Sequence, residues 1–542
     1  MTGDRNTAMY ATGTPGYTAK NSGTITLGDS ASITSPNVGL YTEHNTVTLE
    51  NTGTIDSGNN TIGIYGYNTE NSGNLKIGNA AIGIYSQSGN VNLTGGTITT
   101  GTDEAVGVYT VGSGQTVTNS GTSFNIGNNS FGFVNVGTGN TITSSISNVG
   151  LGNNNVYMYS NDKAGTVTNF TNITSTGEQN YGIYSAGYVV NNENMNLAAG
   201  TGNIGVYSIK AGTIENRNGV ITVGGSVPGE DEYGIGMAAG YTWTKKDLLK
   251  PVSQRPEQTT GNIINRGTIN VNGQYSMGMY GSGNGTTVNN YGTINLNANN
   301  TTGMYLTDKA VGHNYGTITN AAGVKDVTGV VVKNGAKFIN EATGVVSLNA
   351  TNALGILRTK DEGETLGIIE NYGTFNITGD GSEVEKVSES KDLNKSLGKG
   401  KDKISIDVPA GATTGTIKLG DIVQSPEIVE TKKLELEETQ VSTIGMYINT
   451  SGVKFTKPIT GLSELSQLRK ADLIIGAEAA QSTTGKYIQV GKNILKPYND
   501  EISALTASAS GKNFYVSSGS LTWIATVTQN SDFTISKLYI SK

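Results

Sequence analysis

A four-residue pattern, apolar–Gly–apolar–Tyr, returns every 20 to 26 residues, and this period limits the possible folds more than any other property of the chain. It stands as Val38-Gly39-Leu40-Tyr41, Ile62-Gly63-Ile64-Tyr65, Ile82-Gly83-Ile84-Tyr85 and Val106-Gly107-Val108-Tyr109. It returns, with Tyr181 or Thr302 opening two of the units, at Tyr184, Tyr207, Tyr280 and Tyr305, and once more as Ile444-Gly445-Met446-Tyr447. Side chains alternate between the two faces of a strand. Read that way, the aliphatic positions face a core while Gly and Tyr share the outward face. A second marker lies between the first: Asn51-Thr52-Gly53-Thr54-Ile55, Asn71-Ser72-Gly73, Asn265-Arg266-Gly267, Asn290-Tyr291-Gly292, Asn314-Tyr315-Gly316 and Asn371-Tyr372-Gly373. Each unit therefore holds two or three short strands joined by Gly/Asn/Thr turns, with no helix-period segment. Units of this size without helices build a right-handed parallel β-helix, a solenoid of about fourteen coils roughly 65 Å long.

Composition fits a thin core. The 542 residues include 76 Gly, 9 Pro and no Cys, and 35% are hydrophobic, which is meagre for a globular core but enough for a narrow coil. The 26 Tyr, many of them in register, separate the chain from disordered sequences. A net charge of -7 argues against nucleic acid or an anionic membrane as partner. No apolar run is long enough for a transmembrane helix. The start, Met1-Thr2-Gly3-Asp4, lacks a signal sequence and reads as the beginning of a fragment.

In chain order, 1–20 read as an irregular lead-in or a partial coil and 21–378 as coils. Within the coils, 241–260 form a loop excursion. A charged insertion follows over 379–440, with a hairpin at Ile404–Leu419 and a strand or helix at Glu427–Glu438, and then a C-terminal capping module over 441–542. That module carries a locally helical Leu462–Leu473, and helix is otherwise expected only between 440 and 510. In each marked unit Asn shares the parity of the apolar residues, so a ladder of inward Asn satisfying buried turn backbone is expected. Around Gly132 and Tyr157 the marker is worn, to Phe131-Gly132-Phe133-Val134 and Val156-Tyr157-Met158-Tyr159.

The C-terminal module carries Ala471-Asp472-Leu473-Ile474-Ile475-Gly476-Ala477-Glu478, Lys486-Tyr487-Ile488-Gln489-Val490, Ile494-Leu495-Lys496-Pro497-Tyr498-Asn499-Asp500 and Tyr515-Val516-Ser517-Ser518-Gly519-Ser520-Leu521-Thr522-Trp523. With the coil pattern, these segments resemble the large fusobacterial type Va autotransporter adhesins. The resemblance implies an exported passenger on the bacterial cell surface, held to the outer membrane through a β-barrel that this sequence lacks. It further implies adhesion to a glycan or protein receptor on a host or partner cell.

Chemistry has little to build on. His44 and His313 lie many coils apart, and no Cys or His pair suggests a metal site. No catalytic residue, metal or cofactor is assigned. Two features could bind a ligand. One is the outward row Tyr41, Tyr65, Tyr85, Tyr109, Tyr184, Tyr207, Tyr280 and Tyr305, whose rings either bind a partner or pack on one another. The other is the excursion, where Tyr241 and Trp243 offer an aromatic face and Lys245, Lys246 and Arg255 offer donors. The expected function is a monomeric adhesin passenger on a rigid stalk. The alternatives are a pure spacer that presents a distal head and, less favoured, a β-helical glycan-degrading enzyme.

Overall fold

The structure, a computed structural model, describes residues 3–13, 16–389 and, further on, 405–409, 415–419, 422–423, 427–431, 443–448, 458–460, 470–475, 487–508, 513–518 and 524–541. Two compact units divide the chain, 1–430 and 431–542.

The first unit is a parallel β-helix. Among the described residues its three sheets contain 15, 14 and 16 strands, and through Thr374–Ile377 every third strand in the sequence neighbours the one before it in the same sheet; the last strand of the third sheet, Ile422–Val423, pairs antiparallel with Thr416–Leu419. Each coil contributes one strand to each sheet. Ile62–Gly66, Asn68–Asn71 and Asn74–Lys76 make one such coil. Of the two readings of 1–20, irregular lead-in or partial coil, the structure shows coil strands: Thr7–Ala11 pairs with Val38–Thr42 and Thr18–Asn21 with Thr48–Asn51. The coils also continue past residue 378. Glu383–Glu389 pairs with Leu354–Lys360, and Thr416–Leu419 pairs in parallel with Thr374–Ile377. The hairpin expected over 404–419 does not form, since Ser405–Pro409 pairs with Glu427–Thr431 instead. Residue 404 and residues 432–438 lie outside those described.

The repeated glycine faces inward, a correction to the alternation read from the sequence. The ladder pairs Val38 with Ile62 and Leu40 with Ile64 but skips the glycines. A Cβ on Gly39 would lie 2.5 Å from the Gly63 carbonyl oxygen and 3.1 Å from the core methyl of Ile55. The same contact recurs from Gly63 to Gly83 at 2.6 Å and from Gly83 to Gly107 at 2.5 Å. Strict alternation fails because Gly and the residue after it both face the interior. The first apolar residue of the pattern is turned outward beneath the tyrosines, as Ile204 and Ile235 are beneath Tyr207 and Tyr280. Tyr157 occupies the glycine slot and makes the point directly. Its ring is fully buried, with the hydroxyl 2.8 Å from Ser144 Oγ, and burial pushes that phenol up to about 12.

Two residues before many first-sheet strands, the backbone turns through the left-handed region. Asn60, Ala80, Asn129, Asn154, Gln179, Asn300 and Asn352 all have φ between +50° and +57°. Asn tolerates this region well, which explains its frequency at these corners.

The asparagine ladder forms as expected. Asn169, Asn191, Asn216, Asn265, Asn290, Asn314, Asn340 and Asn371 stand on successive coils. From Asn169 to Asn340 each Nδ2 donates to the next Oδ1 at 2.8–3.0 Å. Most also donate to the carbonyl of the following turn, Asn290 Nδ2 to Gly292 O at 3.2 Å for example. The rungs therefore satisfy buried turn backbone that water cannot reach.

The second unit contains a parallel sheet of Thr443–Ile448, Lys470–Ile475 and Asn513–Ser518. It also contains an antiparallel sheet of Tyr487–Gln489, Ile535–Ser541 and Ile524–Gln529. Helix Lys492–Ser508 places a buried Tyr498 so that its hydroxyl donates to the Tyr447 carbonyl at 3.1 Å. Residues 470–473 are strand rather than helix, paired on both edges, and 462–469 lie outside the described residues.

Candidate functional site

The tyrosine row is a self-stacked ladder. Ring centroids are 5.5, 5.2, 4.8 and 5.5 Å apart along Tyr10, Tyr41, Tyr65, Tyr85 and Tyr109. A second run joins Tyr159, Tyr184 and Tyr207 at 5.6 and 5.2 Å, and Tyr280 stacks on Tyr305 at 5.8 Å. Each ring thus covers its neighbour's face and leaves edges and hydroxyls outward. Burial is the first cause that raises the phenols of Tyr41, Tyr65, Tyr85, Tyr159, Tyr184, Tyr207, Tyr280 and Tyr305. Tyr41 is pushed up to about 12, helped by its hydrogen bond to Glu43, and Tyr184 and Tyr305 reach about 12 as well. Tyr207 is raised well above its ordinary value, first by burial, and its hydroxyl donates to the Gly240 carbonyl at 2.6 Å.

The row breaks where a coil lacks a ring. Val134 sits between Tyr109 and Tyr159, and Ala238 sits between Tyr207 and Tyr280.

The excursion is an ordered loop closed at its mouth. Tyr241 and Thr259 exchange backbone hydrogen bonds at 2.7 and 3.0 Å. Thr244 caps the short helix Lys245–Leu248 through a reciprocal capping box with Asp247. The Tyr241 hydroxyl donates to the Asp247 carboxylate. That bond, with the Thr244 backbone amide, holds Asp247 well below the usual carboxylate range. Trp243 donates from Nε1 to the Pro256 carbonyl at 2.8 Å, and the Arg255 guanidinium lies 4.9 Å above its ring. Arg255 also donates to the Lys250 and Leu248 carbonyls, both at 3.0 Å.

Tyr241, Trp243 and Arg255 are therefore engaged in holding the loop's own shape. Lys245 and Lys246 point outward and reach other coils, 3.9 Å from Asp361 and 2.6 Å from Asp231. The five candidates are close in sequence but do not converge on one hollow.

A hollow does form on the other arm. Pro256, Glu257 and Thr259 lie against Phe131, Val156, Tyr159, Asn161, Tyr181, Tyr184, Ile209 and Lys210, bordering an open space of about 400 Å³. Tyr181 meets Tyr184 edge-on at 5.4 Å, and Phe131 meets Tyr159 edge-on at 6.3 Å. The wall is thus aromatic and not a flat stack. Lys210 and Glu257 pair at 3.7 Å across the hollow's rim. Ala211 N donates to Thr260 O at 2.9 Å, fixing the arm to the coil. A neighbouring hollow of about 420 Å³ shares Lys210, Glu257 and Thr259 and adds Lys163, Tyr241 and Asn284.

The sequence carried a signal for this cleft that the Gly–Tyr pattern obscured. Phe131 and Tyr181 put aromatics in the pattern's first, outward slot, and Val134 removes the ring that would have covered Tyr159. The worn coils supply Phe131, Val156 and Tyr159 to the cleft wall, and the coils after them supply Tyr181, Tyr184, Ile209 and Lys210.

The fold and the site define a parallel β-helix with a walled cleft beside a loop excursion. Residues 67–320, which include all of the cleft, match the family model of the BigA third pectate lyase-like domain. No curated protein and no solved structure matches the chain. Among the described residues no group of three or more His, Cys, Asp or Glu could hold a metal ion. His313 Nδ1 lies 2.7 Å from Glu341 Oε1, on the second sheet and apart from the cleft residues.

Proposed function

We propose that this chain is part of a surface-displayed adhesin of the autotransporter-passenger kind, with the β-helix as its stalk and the excursion-walled cleft as its receptor site. The ligand of that cleft is the end of a glycan chain on a host or partner cell. One observation carries the reading: the 256–259 arm stands against Phe131, Tyr159, Tyr181 and Tyr184 and borders an open hollow of about 400 Å³. That volume lies within the range of small-ligand sites, which pair apolar walls with a few polar groups. Aromatic walls suit the C–H faces of a sugar ring, and Asn161, Lys210, Glu257 and Thr259 supply donors and acceptors for its hydroxyls. The match to a pectate lyase-like domain supports the β-helical part of the reading, and the resemblance of the C-terminal module supports the fusobacterial type Va passenger and its export to the outer surface. Lys210 and Glu257 pair with each other, an arrangement suited to hydrogen bonding more than to acid–base work.

The spacer reading keeps one observation of its own. Along Tyr10 to Tyr109 the aromatic side chains are used in stacking, which favours a purely mechanical role for those coils.

The test is a glycan array probed with the parent chain and with a variant whose residues 241–260 are replaced by a Gly-Asn turn. The parent binds a defined set of glycans and the variant loses it, with the same melting temperature within a few degrees. Identical profiles for the two proteins, or a blank array for the parent, reject the cleft as a glycan site.

A further inference from the structure

Behind the cleft arm, the tip of the excursion exposes aliphatic side chains on a rigid turn. Leu249 is 87% exposed, Val252 71% and Leu248 54%. Exposure here does not come from looseness. Much of the tip backbone is bonded within the loop: Leu248 N donates to Thr244 O, Leu249 N to Lys246 O and Lys250 N to Asp247 O, at 3.1, 3.3 and 3.0 Å. Gln254 N and Arg255 N donate to Pro251 O and Val252 O, and the Arg255 side chain takes up the Leu248 and Lys250 carbonyls. A turn closed in this way can enter a low-dielectric layer without leaving these backbone groups unpaired.

The collar around the tip is cationic. Residues 241–260 hold Lys245, Lys246, Lys250 and Arg255 against Asp247 and Glu257, so this loop is positive on a chain whose net charge is -7. Net charge is a sum over 542 residues and does not describe one loop. Lys245 and Lys246 are 89% and 65% exposed in their pairs with Asp361 and Asp231, and exposed pairs of this kind exchange readily for other anions. Lys250 pairs with Asp247 at 3.0 Å.

We infer that this tip docks on a phospholipid bilayer. Leu248, Leu249 and Val252 enter the boundary between headgroups and acyl chains, while Lys245 and Lys246 extend to headgroup phosphates and Lys250 stays paired with the buried Asp247. Aliphatic side chains offer a sugar neither a stacking face nor a hydrogen bond, so the tip is not a second glycan site. A pocket on a protein partner would supply polar contacts of its own. The internally closed backbone and the lysine collar favour lipid.

The experiment is sedimentation of the intact protein with glycan-free vesicles, one set of phosphatidylcholine alone and one with about a third phosphatidylserine. The parent protein is expected to bind both, the anionic set several-fold more. Leu248→Ser with Leu249→Ser should reduce binding to both sets at least tenfold while circular dichroism and glycan binding stay as in the parent. Lys245→Ala with Lys246→Ala should remove the preference for phosphatidylserine. Failure of the parent to sediment with either vesicle, or a double-serine protein that binds as well as the parent, overturns the proposal. A parent that ignores vesicles but loses adhesion to deglycosylated cells on the double-serine change overturns it in favour of a protein pocket. Since vesicles carry no glycan, none of these results bears on the cleft.

Discussion

Replacing Asn290 by Ala removes one rung from the middle of the asparagine ladder. Three hydrogen bonds go with it: from Asn265 Nδ2 at 2.9 Å, to Asn314 Oδ1 at 2.9 Å and to Gly292 O at 3.2 Å. Asn265 keeps its second acceptor, the Gly267 carbonyl at 3.2 Å, so its amide is only partly orphaned. Asn314 Oδ1 loses its rung donor inside a fully buried environment. A buried hydrogen bond contributes about 0.5–1.5 kcal/mol net, and an orphaned buried acceptor costs about 1–3 kcal/mol. With partial relaxation, the expected loss is roughly 2–4 kcal/mol. Asn299 makes the comparison, because its carboxamide accepts one exposed bond from Lys325 N at 2.9 Å. Asn299→Ala should cost under about 1 kcal/mol. Urea melts followed by circular dichroism would read both, with hydrogen exchange to localise the loss to neighbouring coils, because stability in a solenoid is nearest-neighbour in character. Equal, near-zero losses at the two positions would show that the ladder adds nothing and that the inward asparagines are incidental.

Gly83→Ala places a methyl 2.5 Å from the Gly107 carbonyl oxygen and should destabilise by about 1–3 kcal/mol, whereas Gly229→Ala, with nothing within 4 Å, should be neutral; thermal melts would separate them. The folded-state pKa of Tyr41 and Tyr184 is raised to about 12 from an ordinary value near 10. Their contribution to stability is therefore full below pH 10 and lost as the pH rises through 12, so ultraviolet titration should show a late-ionising tyrosine class and chemical stability should fall over that window. Tyr157→Phe removes only the hydroxyl bonded to Ser144 and should cost about 1–2 kcal/mol, while Tyr157→Gly, which restores the repeated residue, should cost more because the core around Phe124 and Phe133 would be left with a cavity.

Much of the coil was legible in the letters because stacking places like residues on like residues. Ile82 faces Ile62 and Val106, and Asn290 faces Asn265 and Asn314, so spacing translates directly into register. The Asn ladder was read correctly from parity. The same parity rule failed at Gly, where two successive residues face inward and strict alternation breaks. What a period cannot show is where its departures meet in space. Phe131, Tyr181 and Pro256 are as much as 125 positions apart and come together because the loop folds back over earlier coils. The excursion announced itself by its surplus length, but the division of labour within it did not. Trp243 and Arg255 look like ligand groups by residue type, yet they close the loop on itself, and the next few residues, 256–259, form the arm that faces the aromatic wall.

The claim that stands or falls with the function is that ligand occupies the hollow between the 256–259 arm and the aromatic wall. Hydrogen–deuterium exchange of the intact chain, with and without a glycan selected on the array, tests it directly. The account predicts slowed exchange on binding in Val156–Ser160, Tyr181–Ser185 and residues 256–260, with the remaining coils unchanged. Protection confined to other coils, or to the lysines at 245 and 246 without the aromatic strands, would contradict it.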